Sequence, residues 1–139
     1  MKCIIAGDRN IVNKAILEKA IKKSGFTITE VVSGGARGAD TLGEEWAKEN
    51  GIPVKEFPAD WNNLAVKGAV IKTNAWGKQY NAAAGTFRNK QMADYADALI
   101  AIQTNGKTPG TQNMIKLAKE NELEVFVYER ETSDYTYLF

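Results

Sequence analysis

The sequence predicts an α/β protein: a mostly parallel five-stranded sheet with helices on both faces. Three observations predict it. Short apolar runs alternate with amphipathic runs of helical spacing from one end of the chain to the other, the pattern of parallel strands joined by crossover helices. The apolar runs are continuous, as in strands buried on both faces. Polar turns, most of them glycine-bearing, follow those runs, at the strand ends where such sheets bind ligands. With 139 residues, 44% hydrophobic and 25% charged, the chain is sized for one domain, 1–139, with a core of its own.

Lys2 to Ala6, with Cys3-Ile4-Ile5-Ala6 at its centre, reads as the first strand and ends at Gly7-Asp8-Arg9-Asn10. Val12, Ala15, Ile16 and Ala20 then recur at helical spacing, with Lys14, Glu18, Lys22 and Lys23 opposite and Ser24-Gly25 as the stop. Asp8 or Asn10 suits the N-cap of this helix as well as it suits a ligand. Thr29 to Val32 is the second strand and runs into Ser33-Gly34-Gly35-Ala36-Arg37-Gly38. The second helix runs from Asp40 to Asn50, with Leu42 and Trp46 at i, i+4 and Gly51 beyond it. Pro53 to Phe57 is the third strand.

Residues 58–87 read as one long connection, with at most a short element near Val66 to Lys72. Long loops with their own aromatics are lids, binding walls or subunit contacts, and Trp61, Trp76 and Tyr80 fit a cover stacked over a base. A helix from Arg88 to Tyr95, a strand from Ala98 to Ile102, a polar loop from Gln103 to Gly110, a helix from Thr111 to Asn121 and a strand from Glu124 to Tyr128 complete the alternation. The tail, 129–139, ends in Tyr135, Tyr137, Leu138 and Phe139, an apolar end that suits packing on the body or on a second copy, hence a homo-oligomer.

The chain has no histidine, which excludes Ser-His-Asp triads, Cys-His pairs and His-ligated metals. Its single cysteine, Cys3, lies in a strand and reads as a core residue. One cysteine forms no internal disulfide, so a reducing cytoplasm is expected. No apolar run approaches a membrane span, no signal-type segment opens the chain, and a net charge of +1 argues against a nucleic-acid coat.

Three turns carry the chemistry. Ser33 to Gly38 nearly fits the dinucleotide fingerprint, but Ser33 stands in place of its first glycine and the turn follows the second strand. Asp60 lies about 20 residues on, where a ribose-binding carboxylate would fall. As a phosphate turn the stretch is stronger: Gly34, Gly35 and Gly38 let backbone N–H groups approach a ligand, Arg37 offers a guanidinium, and a helix follows. Gly106-Lys107-Thr108 resembles the end of a P-loop, but Ala101 stands where the loop's first glycine is required. Pro109-Gly110-Thr111 still opens a helix and makes a second anion site. Asp8-Arg9 and Arg88-Asn89 add charge to the same end of the sheet. Glu44-Glu45 and Glu18-Lys22 read as solvated helix faces.

The series Ala6-Gly7-Asp8-Arg9, Ser33 to Asp40, Pro58-Ala59-Asp60-Trp61, Arg88-Asn89, Met92 to Leu99 and Gly110 to Ile115 resembles the YspA/YpsA-related branch of the SLOG superfamily, relatives of the Smf/DprA and lonely-guy proteins. The likeness runs to about Tyr128, and many such small proteins come from bacteria and their phages. It implies a Rossmann-like three-layer sandwich with a pocket for nucleotides or nucleotide-derived molecules such as ADP-ribose-like compounds. Lonely-guy enzymes use a Pro-Gly-Gly-x-Gly-Thr-x-x-Glu motif to cleave a base from a nucleoside monophosphate. Here Met114 falls where that Glu belongs, and a methionine neither acts as a base nor stabilises an oxocarbenium-like centre.

The expectation is therefore a binding module that senses or sequesters a phosphorylated nucleotide derivative. Gly7, Asp8, Arg9, Ser33, Gly34, Gly35, Arg37, Gly38, Asp40, Arg88, Asn89, Gly110 and Thr111 are its candidate ligand-binding residues. Ser33 and Thr111 serve as hydroxyl donors, and Asp8 and Asp40 as partners of ribose hydroxyls or of a phosphate-bound Mg²⁺. No metal or other cofactor is required. The competing expectation is a hydrolase or transferase acting on a nucleotide or N-glycosidic bond, with Asp8, Asp40 or Asp60 as its catalytic carboxylate. Single-stranded nucleic acid is a third reading that the near-zero net charge does not support.

Overall fold

The computed structural model describes residues 1–9, 11, 13–35, 38–103 and 108–129. Its main sheet contains β1 (Lys2–Gly7), β2 (Glu30–Ser33), β3 (Val54–Glu56), β6 (Ala98–Gln103) and β7 (Glu124–Glu129) in the order β3-β2-β1-β6-β7, every neighbour parallel. A separate antiparallel hairpin joins β4 (Ile71–Thr73) to β5 (Gln79–Asn81). Four helices, α1 (Lys14–Ser24), α2 (Ala39–Glu49), α3 (Ala84–Tyr95) and α4 (Pro109–Glu120), complete the described fold.

Strand position explains the apolar runs. All six residues of β6 are buried, and so is Cys3 to Ala6 of β1. These are central strands, covered on both faces. Cys3, Ile5, Val31, Ile100 and Ile102 face α1 and α2, while Ile4, Val32, Leu99 and Ala101 face α3 and α4. The short edge strand β3 exposes Lys55 and Glu56, charges that discourage further pairing. Cys3 is the core residue the sequence suggested.

The helix ends follow local rules. Asn13 caps α1 by accepting the Ala15 N–H at 2.9 Å, and Gly25 closes it at φ +70° with its N–H on the Lys22 carbonyl. The cap is therefore not Asp8, whose side chain is committed to Thr108 and Thr111, and Asn10 lies outside the described residues. Pro109 occupies the first position of α4, where its fixed φ costs nothing.

The connection 58–87 departs from the sequence reading. It contains the hairpin, and α3 begins at Ala84, a full turn before Arg88. Asn74 makes the hairpin turn by accepting the N–H groups of Trp76 and Lys78, and Gly77 sits at φ +79°. The helix start was hidden because Ala83-Ala84-Gly85 carries no periodic pattern and no side-chain cap. The tail 130–139 lies outside the described residues, and with it the predicted apolar end. Among the described residues no helix is long and apolar enough to cross a membrane.

Candidate functional site

Strand β1 connects onward to β2 on one side, and its other neighbour, β6, connects to β7 on the opposite side. The strand order reverses between them, and a cleft of about 650 Å³ opens beyond their carboxyl ends. The turn after β1, Gly7 to Arg9, forms one wall, and the starts of α2, α3 and α4 form the others.

Asp8 is the deepest charge, 2% exposed. Its Oδ1 accepts the hydroxyls of Thr108 at 2.8 Å and Thr111 at 3.2 Å, and the two threonine oxygens lie 2.9 Å apart. This cluster ties the turn after β1 to the first turn of α4. Thr108 stands at the N-cap of α4 with an extended backbone, yet its hydroxyl serves Asp8 and makes no cap.

Arg88 crosses the opposite wall. Its Nη1 donates to the Gly34 carbonyl and its Nε to Asn89 Oδ1 at 2.9 Å; Asn89 in turn donates to Asn113 Oδ1 at 2.9 Å. One chain of hydrogen bonds thus runs from the turn after β2 through α3 to α4. Burial lowers the Arg88 guanidinium from its ordinary range, and the Asp40 carboxylate pulls it back up. An arginine stays charged under such a shift.

The helix starts share a feature. The starts of α2, α3 and α4 line the cleft, and none has a side-chain cap hydrogen bond; α1, which is capped by Asn13, does not contribute to the lining. Three partial positive charges therefore converge on one space together with the guanidiniums of Arg9 and Arg88.

Of the residues expected at the site, Gly7, Asp8, Arg9, Asp40, Arg88, Asn89, Gly110 and Thr111 line this cleft. Gly34 and Gly35 line an adjoining cavity of about 470 Å³ that shares Arg9, Trp61 and Arg88 with it. Asp60 is exposed and lines a third cavity, of about 290 Å³, which Arg88 also lines. Arg37, Gly106 and Lys107 lie outside the described residues.

Several glycines have a different cause from the one expected. A Cβ on Gly34 would stand 2.5 Å from Arg88 Nη1, and one on Gly38 would collide with the backbone carbonyls of Asp8 and Arg9. A Cβ on Gly7 would collide with the Ile102 carbonyl. These glycines let protein approach protein. Gly35, at φ +73°, and Gly110 face open space. Ser33 is fully buried, donates to Glu44 Oε1 at 2.8 Å and accepts the Gly35 N–H at 3.1 Å. Its hydroxyl holds the turn in shape, and Glu44 is a half-buried acceptor rather than part of a solvated face.

Trp61 lines the cleft with 44% of its surface exposed and packs over Gly85. Trp76, 89% exposed at the hairpin turn, and Tyr80 do not contribute to the lining. Met114 is fully buried and lines the cleft where the lonely-guy Glu would fall. Thr108 and Asn113 were missed because each bonds to a residue far off in sequence, Asp8 and Asn89 respectively. One legible signal was overlooked: from Trp61 to Ala93 the chain carries Lys67, Lys72, Lys78, Arg88 and Lys90 and no acidic residue, so the remainder is net acidic. Among the described residues no three acidic, thiol or imidazole side chains gather as a metal site would need.

Comparison with known proteins supports the resemblance. Residues 1–63 match the model of the YspA, cpYpsA-related SLOG family. No curated protein matches the chain. Among solved structures, the chain is similar to DNA processing protein A (DprA) from Streptococcus pneumoniae, with a TM-score of 0.65 and 19% identity over 96% of this chain. The match covers 51% of that protein, so this chain spans about half its length. The likeness establishes a shared Rossmann-like fold.

Proposed function

We propose that this chain binds a phosphorylated nucleotide derivative, of the size of an ADP-ribose-like or nucleotide signal molecule, and holds it without cleaving it. The observation that carries this reading is the convergence of three helix starts without side-chain caps and two guanidiniums on one 650 Å³ cleft. The positive ends of helices and arginines are what a phosphate chain recruits, and the volume falls within the ordinary range for small-molecule sites. Gly110 faces open space at the start of α4, so a phosphate meets no side chain there. Arg9 and Arg88 take phosphate oxygens, Asp40 serves ribose hydroxyls or a phosphate-bound Mg²⁺, and Trp61 offers an exposed ring for stacking.

Met114 favours holding over cleavage, since it supplies neither a base nor charge stabilisation where lonely-guy enzymes use a Glu. The rival reading, hydrolysis or transfer with Asp8 or Asp40 as the carboxylate, rests on the presence of both in the cleft. One experiment separates them. The protein is equilibrated with NAD, ADP-ribose, nucleoside monophosphates and cyclic dinucleotides, then denatured, and the small molecules are recovered. Intact bound ligand is expected. A new product supports the enzyme, and absence of both binding and conversion across the panel overturns both readings.

A further inference from the structure

We infer that the cavity of about 470 Å³ adjoining the main cleft seats a ribose of the ligand, whose 2′- and 3′-hydroxyls donate to the Glu56 carboxylate. This rests on the phosphorylated-nucleotide reading of the main cleft and names a part of that ligand and the residue that selects it.

The unit β2–α2–β3 carries a glycine-rich turn after one strand and a carboxylate at the end of the next. Doubly wound sheets hold one mononucleotide half on that plan. Its second glycine bares the backbone to a phosphate, its third allows close packing, and an acidic residue about 20 residues on takes a ribose hydroxyl. The residues of this turn divide the tasks in the same way. Gly35, in the second position, lines the cavity at φ +73°, with nothing within 4 Å of where a Cβ would stand. Gly38, in the third, presses on the backbone of Asp8 and Arg9. Ser33 replaces the first glycine and shapes the turn by accepting the Gly35 N–H. Glu56 ends β3 in register with Ser33, and the Phe57 N–H that follows donates to the Ser33 carbonyl at 2.9 Å. The sheet thus brings an acidic residue to the glycine turn, and both line one cavity. Asp60, which the spacing suggested for this role, lines a different one.

The charges sort the ligand. Arg9 and Arg88 line both the cavity and the main cleft, so phosphates held by the two guanidiniums border both spaces. The cavity adds two carboxylates, Glu44 and Glu56. Carboxylates and phosphates are both acceptors, so this space repels a further phosphate and suits a donor. A ribose diol is such a donor. Glu44 is committed to the Ser33 hydroxyl, whereas Glu56 is exposed.

The test is a calorimetric titration of ADP, 2′,3′-dideoxy-ADP and pyrophosphate into wild-type protein and Glu56→Ala. Glu56 is exposed on an edge strand, so its truncation spares the core. Wild-type protein is expected to bind ADP about tenfold or more tighter than the dideoxy probe, as hydrogen bonds to a charged group warrant. In Glu56→Ala that preference is expected to fall to within about twofold, with pyrophosphate bound no more weakly than by wild type. No preference in wild type, a preference that survives in Glu56→Ala, or a loss of pyrophosphate binding equal to that of ADP overturns the ribose seat and leaves the phosphate cleft standing. Failure of wild-type protein to bind any probe removes the nucleotide reading itself, and the ribose seat with it.

Discussion

The Arg88 guanidinium lies on the backbone of Gly34 and donates Nη1 to its carbonyl, at a point where a Cβ would stand 2.5 Å away. The arginine and the glycine are 54 residues apart in sequence, and each accounts for the other. Gly34 lacks a side chain because Arg88 occupies the space. Arg88 in turn is held in the cleft wall by a carbonyl that only a glycine leaves accessible.

This pairing is measurable. Gly34→Ala is expected to displace the Arg88 guanidinium and to cost about 1–2 kcal/mol, the worth of the hydrogen bonds broken. In an Arg88→Ala background, where the clash is gone, the same change is expected to cost less than about 1 kcal/mol. Urea denaturation of the four proteins of this double-mutant cycle gives the answer. Additive costs would show that the two residues do not share the space.

Gly38 and Gly35 provide an internal control. Both have positive φ, +80° and +73°, but only Gly38 presses on the backbone of Asp8 and Arg9. Gly35→Ala is expected to cost about 1–2 kcal/mol from backbone strain alone. Gly38→Ala adds a collision with rigid backbone and is expected to cost more than about 3 kcal/mol. Melting curves for the two variants should rank them in that order.

Thr111 holds the start of α4 to Asp8. Thr111→Val keeps the shape and removes a hydrogen bond to a buried carboxylate, an expected loss of about 1.5–3 kcal/mol by chemical denaturation at pH 7. A loss well below 1 kcal/mol would mean that Thr108 alone satisfies that oxygen.

Burial pushes the Cys3 thiol up to about 12 from an ordinary value of 9.0. The unfolded chain therefore releases this proton near pH 9 while the native one retains it. Native stability is expected to fall as pH rises from about 9 toward 12, with no contribution from this group below that window. Cys3→Ala should flatten the alkaline limb, in denaturation curves taken across that pH range. Native protein at pH 8 should also resist a thiol reagent that labels the unfolded chain at once.

The fold was legible because Cys3–Ala6 of β1 and Ala98–Ile102 of β6 are buried on both faces, and a stretch buried on both faces is apolar unless each polar group finds a partner, as Gln103 does. Asp8, Arg9, Asp40 and Thr111 were legible because each sits on a turn at the carboxyl end of a strand or opens a helix there. The glycine-rich turn misled in part. Gly34 and Gly38 record close approaches, and sequence alone does not distinguish a ligand at that distance from the Arg88 side chain or the backbone of Asp8. Thr108 and Asn113 were invisible for a different reason: each bonds to a partner that only tertiary packing brings near. The hairpin and the early start of α3 were missed because Ala82-Ala83-Ala84-Gly85 has neither a cap nor a periodic pattern.

The most direct measurement is a calorimetric titration of ADP-ribose into wild-type protein and Arg9→Ala at low salt. Arg9 is exposed and lines both the main cleft and the adjoining cavity, so its removal spares the core. The account predicts saturable binding to wild-type protein and affinity at least about tenfold weaker in the variant, the worth of one charge-assisted hydrogen bond. Equal affinity in the two proteins, or no heat of binding in the wild type, would contradict it.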